Sequence, residues 1–414
     1  MTGPRALDPA IDPSFDASSF DALTEDALRA GGSLKWTRYG SAIGAFVAEM
    51  DFGTAPEVTR ALHEAVDGGR LGYLPPQTAA EMAEACADWS ERRYGWRVPP
   101  ERISPLPDVV AGLQAAIEHF IPPGGAVVLP TPAYMPFLAV PGLLGRELIE
   151  VPMVGDGGRI TYDLDGIARA LERGGALVVH VNPHNPTGRV FTDEEQLALA
   201  DVVEHAGARV FADEIHAPLV HPGAVHRPYA ALSDATARHA VTATSASKAW
   251  NLPGLKAAQL VLSDDAHVEH WARVGVLVSH GASTLGVLAA TAAYREGGPW
   301  LDGVLGYLDR NRALLAELLA DRLPQVRYTP PEGTYLAWLD CRQLELPSSP
   351  GAFFLEQAGV ALIDGPECGA PGAGHGRLNL ATPAPVLRAI VERMAEAVSL
   401  RDGARPGTAA PPLA

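Results

Sequence analysis

Thr244-Ser245-Ala246-Ser247-Lys248-Ala249-Trp250-Asn251 sets a lysine among small hydroxyl residues directly after an apolar, Thr-rich run. A lysine becomes a nucleophile at neutral pH only where burial or a neighbouring cation lowers its pKa, and where something nearby orients an aldehyde against it. Small flanking residues permit that approach, so Lys248 reads as a Schiff-base lysine. Most lysines flanked by serines are solvated loop residues, and the segment therefore takes its meaning from what surrounds it.

Upstream, Ala208-Arg209-Val210-Phe211-Ala212-Asp213-Glu214-Ile215-His216 is an apolar strand-like run that ends in an acid. Ligands of α/β sheets gather at the carboxyl ends of strands, which makes Asp213 a candidate partner for a pyridinium nitrogen. A carboxylate there keeps the ring protonated and able to accept the electrons of a carbanion. The competing role is a helix cap or salt-bridge acid. Earlier still, the buried-strand run Ala176-Leu177-Val178-Val179-His180-Val181 leads into Asn182-Pro183-His184-Asn185-Pro186-Thr187-Gly188. Two Asn-Pro steps and a glycine predict a tight loop that holds the Asn185 amide toward a phenolic oxygen. An ordinary strand-to-helix connection is the alternative, since Thr192-Asp193-Glu194-Glu195 has the pattern of a capping box.

In this order and spacing the three segments resemble the fold-type I pyridoxal-phosphate (PLP) enzymes of the aspartate-aminotransferase superfamily. Further motifs sharpen the resemblance: Phe46-Val47-Ala48-Glu49-Met50-Asp51-Phe52, Leu71-Gly72-Tyr73, Thr131-Pro132-Ala133-Tyr134, Pro331-Glu332-Gly333-Thr334-Tyr335 and Gly376-Arg377-Leu378-Asn379. With them the chain is similar, over roughly residues 30 to 400, to the cystathionine β-lyase branch typified by MalY and PatB, relatives of the class I/II aminotransferases. The resemblance implies an α/β fold with a large α/β/α domain, built on a mostly parallel sheet, and a smaller α+β domain.

Residue by residue, the resemblance makes Lys248 the lysine that carries the cofactor aldehyde, Asp213 the ring-nitrogen partner and Asn185 the donor to the phenolic oxygen. Tyr134 stacks on the ring and His216 lies near the same oxygen. Ser245 and Lys256 bind the phosphate, with backbone N–H groups of Val109 and Val110 at a helix start. Asp108 stands there where glycine is usual, so its side chain is expected to cap the helix. Tyr73 matches a residue that reaches the neighbouring subunit's phosphate, which implies a homodimer with shared sites. Arg377 takes the substrate α-carboxylate through two parallel hydrogen bonds, and Asp51 is a second substrate-binding candidate.

Composition is compatible. The chain has 414 residues, 47% hydrophobic and 20% charged, enough for two packed domains. A formal charge of -17 with no Lys/Arg run argues against a nucleic-acid partner. Cys86, Cys341 and Cys368 form no CxxC and no metal-ligand spacing; Cys368 precedes Arg377 in a loop and could stand near substrate. No apolar run is long enough to span a bilayer, and the chain is expected in the cytoplasm. Residues 1–28 read as a disordered or loosely docked arm, 29–55 as a segment joining the small domain, 56–295 as the large domain, 296–401 as the small domain and 402–414 as a tail. A helix around Tyr294 and Tyr307 is expected to link the domains.

The expected reaction is a β-elimination. A substrate whose β-carbon bears a thiolate leaving group, such as cystathionine or an L-cysteine S-conjugate, is split into a thiol, pyruvate and ammonia. Reprotonation at the cofactor carbon would instead give an aminotransferase. A regulatory or binding protein on the same fold is the third reading; its mark would be decay of the cofactor residues, and they are intact. Phe46 stands where the family has Trp, His375 where it has an aromatic, and Thr382-Pro383-Ala384-Pro385 where it often has Arg. These departures leave the side-chain specificity open.

Overall fold

The computed structural model describes residues 17–155 and 159–404. A short strand in the N-terminal segment, β1 (Ile43–Gly44), stands apart from the central sheet. That sheet comprises β2 (Ile103–Leu106), β3 (Ala126–Thr131), β4 (Leu148–Pro152), β5 (Gly175–Val181), β6 (Arg209–Asp213), β7 (Ala240–Thr244) and β8 (Ala258–Leu262), in the order β2-β8-β7-β6-β5-β3-β4. β8 runs antiparallel to both its neighbours, and the other pairings are parallel.

Every residue of β3 and β8 is buried, which is what apolar runs without a polar face require: a sheet covered on both sides. Alternate residues then serve opposite cores. Val127, Leu129, Val179 and Phe211 pack with Leu113, Ile117 and Phe137 from helices Val109–His119 and Met135–Leu143. Val128, Val178, Val210 and Ala212 pack with Ile167, Leu199 and Val203 from helices Leu164–Glu172 and Asp193–Ala206. Thr192 and Glu195 close the capping box that their spacing predicts. The parallel register sets Val181 beside Asp213 and Asp213 beside Ala243, so the carboxyl ends of β5, β6 and β7 open side by side.

The second body is built on an antiparallel sheet of β9 (Arg327–Tyr328), β10 (Leu336–Asp340), β12 (Ile363–Asp364) and β13 (His375–Asn379), in the order β12-β13-β10-β9. β11 (Val360–Ala361) pairs in parallel with β1 and draws the N-terminal segment onto this body. The expected linking helix is two helices, Thr284–Glu296 and Gly298–Arg322, which meet at Gly297. A Cβ at Gly297 would lie 2.4 Å from Trp250 Nε1, and that indole N–H donates to the Gly297 carbonyl at 2.9 Å.

The arm differs from expectation. Phe20 is buried, stacks on Phe52 at 4.3 Å and meets Tyr307 edge-on at 5.3 Å, and Glu25 pairs with Arg393. The chain is thus docked from Phe20 onward; residues 1–16 lie outside the described residues. The last helix extends past the expected boundary to Ala404, and residues 405–414 likewise lie outside.

Asp51, expected to touch substrate, is instead committed to the core. It accepts from Lys35 Nζ and Trp36 Nε1, each at 2.8 Å. The Lys35 and Asp51 side chains are 0% and 3% exposed. Removing one member of such a pair leaves an uncompensated buried charge. Asp51→Ala should lower unfolding free energy by about 3–5 kcal/mol, whereas Lys35→Met with Asp51→Leu should recover most of the loss. Urea denaturation checks this, and simple addition of two large losses in the double variant would refute it.

Candidate active site

Three loops leave the adjoining strand ends. After β5 the chain turns through Asn182–Gly188, with Gly188 at φ +73°. A Cβ on Gly188 would come within 2.3 Å of Pro331 Cβ, and its carbonyl accepts from the N–H groups of Glu332 and Gly333. Only glycine serves both the left-handed backbone and that close approach. The loop buries Asn185, whose Oδ1 accepts from Arg377 Nη1 at 2.8 Å.

β6 ends in Asp213, 4% exposed, whose Oδ1 accepts from the Ile215 N–H at 3.0 Å. After β7, the Ser245 hydroxyl donates to the Ala257 carbonyl and accepts from the Ser247 N–H. This brace presents Lys248, whose Nζ donates to the Ala48 carbonyl at 2.8 Å. The same carbonyl accepts from Tyr335 Oη at 3.0 Å. Asn251, at φ 58°, then bonds Met50 through both side-chain atoms and donates to the Gly53 carbonyl. The N-terminal segment is thereby fastened against the lysine loop.

Lys248, Asp213, Asn185, Tyr134, His216 and Arg377 line one cavity of about 420 Å³. Val109, Val110 and Lys256 also line it. The first N–H groups of a helix have no intrahelical acceptor and favour an anion, and those of Val109 and Val110 occupy that position. Asp108 caps the helix by accepting from the Ala111 N–H at 2.8 Å, and it pairs with Lys256 Nζ at 2.9 Å. The acid beside the anion site is therefore already neutralised.

Burial, then the nearby Arg377, lowers the Lys248 pKa to about 8. About a tenth of such an amine is neutral at pH 7 and can attack a carbonyl. Burial, reinforced by Glu214, raises Asp213 to about 7. It has no ion-pair partner among the described residues, so a cationic ring nitrogen would supply the missing charge. Burial, Lys248 and Arg377 hold His216 well below its ordinary value and keep the imidazole neutral; its Nδ1 is buried without a partner among the described residues. Burial also lowers the Arg377 pKa, and its Nε likewise lacks a partner among them. A guanidinium so placed can still donate to a carboxylate. The set fits a flat heterocycle with a protonated nitrogen, an aldehyde and an anionic arm, together with a substrate carboxylate.

Two residues expected at this cavity, Ser245 and Asp51, do not reach it. Ser245 spends its hydroxyl bracing the loop, and Ser247 lines the cavity instead. Asp51 is held by Lys35 and Trp36. Tyr73 is 86% exposed, its ring 5.5 Å from that of His280. Cys368 is buried among Phe46, Ala361 and Ile363, where burial pushes its thiol up to about 11; it is a packing residue. Sequence reasoning missed Ala48 and Asn251. A backbone carbonyl carries no sequence signal, and Asn251, the last residue of the lysine motif, carries no local sign of its contacts to Met50 and Gly53.

The model of the family "Aminotransferase class I and II" matches residues 46–394. A cystathionine β-lyase of Corynebacterium glutamicum is 39% identical over 341 residues, covering 82% of this chain and 90% of that protein. The cystathionine β-lyase PatB of Bacillus subtilis is 33% identical over 378 residues, 89% of this chain and 97% of that protein. Among solved structures, the PLP-bound C-S lyase of Staphylococcus hominis superposes with a TM-score of 0.85 at 28% identity, covering 94% of this chain and 99% of that one. The fold, the cavity and these likenesses agree: the chain belongs to the class I and II aminotransferase family, in the branch that holds the PatB-type cystathionine β-lyases.

Proposed function

We propose that this protein is a PLP-dependent carbon-sulfur β-lyase that cleaves cystathionine or an L-cysteine S-conjugate to a thiol, pyruvate and ammonia. The observation that carries the reading is the convergence of Lys248, Asp213, Asn185 and Arg377 on one cavity, in a chain whose relatives are named as such lyases. When bound, PLP supplies an aldehyde for amines and a ring that takes up electrons from the broken Cα–H bond.

The chain's own residues do the rest. Arg377 binds the α-carboxylate and fixes which face of Cα meets Lys248. With PLP bound, Lys248 Nζ would be placed to take the Cα proton. Asp213 would hold the ring nitrogen protonated, Asn185 would donate to the phenolic oxygen, and Tyr134 would support the ring face. The Val109 and Val110 N–H groups with Lys256 would hold the phosphate. The Cβ–S bond breaks with its electrons going to sulfur, which departs as a thiolate; water then releases the three-carbon remainder as pyruvate and ammonia.

A homodimer with shared sites is part of this reading. Its support is the exposed apolar face of Leu71, Tyr73, Val276 and Leu277, which are 65%, 86%, 70% and 85% exposed. Tyr73 stands clear of its own chain's cavity, as a residue that serves a partner's phosphate should. A cytoplasmic location belongs to the same reading and is supported by three buried free cysteines. Among the described residues no helix is long and apolar enough to cross a membrane.

Incubation of the PLP-loaded protein with cystathionine and S-alkyl-cysteines should release thiol, pyruvate and ammonia without any keto acid. Product formed only when a keto acid is added would make the protein an aminotransferase. Lys248→Ala should reduce pyruvate release by about 100- to 10,000-fold, the usual contribution of a positioned proton acceptor.

Loading of PLP onto the apoprotein should accelerate as pH rises through about 8, because deprotonation of Lys248 produces the attacking amine, and should level off above that. Growth of the visible absorption band reports the rate; one that is flat from pH 6 to about 9 would contradict the assigned nucleophile. Tyr73→Phe should weaken PLP retention about tenfold by removing a hydrogen bond to a charged group. Light scattering should show a dimer that Leu277→Asp dissociates. A monomeric protein that retains PLP fully would dismiss the shared site.

A further inference from the structure

The cavity has a second, outer end. From Arg377 its wall runs through Phe46, whose carbonyl accepts from Nη2 at 2.7 Å. It continues to Tyr39, which meets the Phe46 ring edge-on at 5.0 Å, and to Arg38, whose guanidinium lies 5.5 Å from the centre of the Tyr39 ring. Ile363 and Glu367, from the segment that follows β11, line the same cavity. The path is therefore charged at its inner end, apolar along Phe46, Tyr39 and Ile363, and charged again at its rim.

Arg38 and Glu367 are both exposed and both line this cavity. Glu367 uses Oε1 to accept from the Asp364 N–H at 3.1 Å. Tyr39 first and Glu367 as well raise the Arg38 pKa, so opposite charges share the mouth. Arg377, the apolar stretch and this pair all line the same cavity.

We propose that Arg38 and Glu367 are specificity-determining residues for a thioether whose leaving thiol is itself an amino acid, Arg38 taking the distal carboxylate and Glu367 the distal ammonium group. The inference rests on the β-lyase reading above. The apolar stretch suits the methylene and thioether stem, and the rim suits a zwitterion. An S-alkyl cysteine would make no use of the rim. A leaving group with two carboxylates would meet Glu367 unfavourably, and one with two amines would meet Arg38 unfavourably. Contacts of this exposure discriminate by selection more than by rate, so they should act on KM.

The test uses the PLP-loaded full chain and four substrates: cystathionine, S-carboxypropyl-L-cysteine, S-aminopropyl-L-cysteine and S-propyl-L-cysteine. Arg38→Gln should raise KM about 3- to 10-fold for cystathionine and the carboxypropyl compound, leaving kcat and the other two substrates within about twofold. Glu367→Gln, which keeps an acceptor for the Asp364 N–H, should do the same for cystathionine and the aminopropyl compound. Equal effects on S-propyl-L-cysteine, or no effect on cystathionine, would overturn the assignment while leaving the lyase reading intact. A wild-type protein that cleaves none of the four without a keto acid would take down the lyase reading and this inference with it.

Discussion

One buried guanidinium ties the site together. Arg377 is 1% exposed and sits on β13 opposite Trp338. It donates to the Asn185 side chain and to the Phe46 carbonyl, which joins three segments remote in sequence: the N-terminal strand region, the loop after β5 and the last strand. Both acceptors are neutral, so they satisfy donors without cancelling the charge. A full positive charge in a low-dielectric setting seeks an anion, and Nε is still available for one. The packing that brings the two bodies of the protein together thus also creates the demand for a carboxylate.

The remaining charges follow from that placement. Lys248 and Asp213 share the cavity, and burial pushes both toward neutrality, the amine down to about 8 and the acid up to about 7. Arg377 strengthens the first shift and opposes any charge on His216. A ligand with a cationic nitrogen near Asp213 and an anionic arm near Val109, Val110 and Lys256 would complement both ends. Affinity for such a ligand is in this sense a consequence of how the chain's own charges are buried, with individual hydrogen bonds adding orientation.

The strand-end positions were legible in the sequence because each follows a predominantly apolar run: β5 before Asn185, β6 ending at Asp213, β7 before Lys248. Runs of that kind must lie in a doubly covered sheet, and the parallel register aligns their ends. Residues outside this logic were less legible. Asp51 follows Glu49-Met50, and nothing local says that Lys35 and Trp36 will fold back onto it. Ser245 and Ser247 are the same residue type two positions apart, and only the hydroxyl contact to Ala257 decides which one braces the loop. The docking of Phe20 depends on Phe52 and Tyr307, each distant in sequence, so composition alone made the arm look loose.

The inner geometry is clamped from both bodies. Arg189, 4% exposed, pairs with Glu195 at 2.6 Å and with Glu332 at 3.1 Å, and Glu332 also accepts from the Val190 N–H. Together with the carbonyl of Gly188 bonded to Glu332 and Gly333, these contacts hold the Asn185 loop against the turn before β10. Moving Asn185 would break a half-buried charge network around Arg189 and release the acceptor of Arg377. The mouth has no such constraint: Arg38 and Glu367 are exposed and bear on the inner site through Tyr39 and Phe46. Substitution there changes what the cavity selects without disturbing how Cα is held, whereas substitution at the clamped end disturbs both.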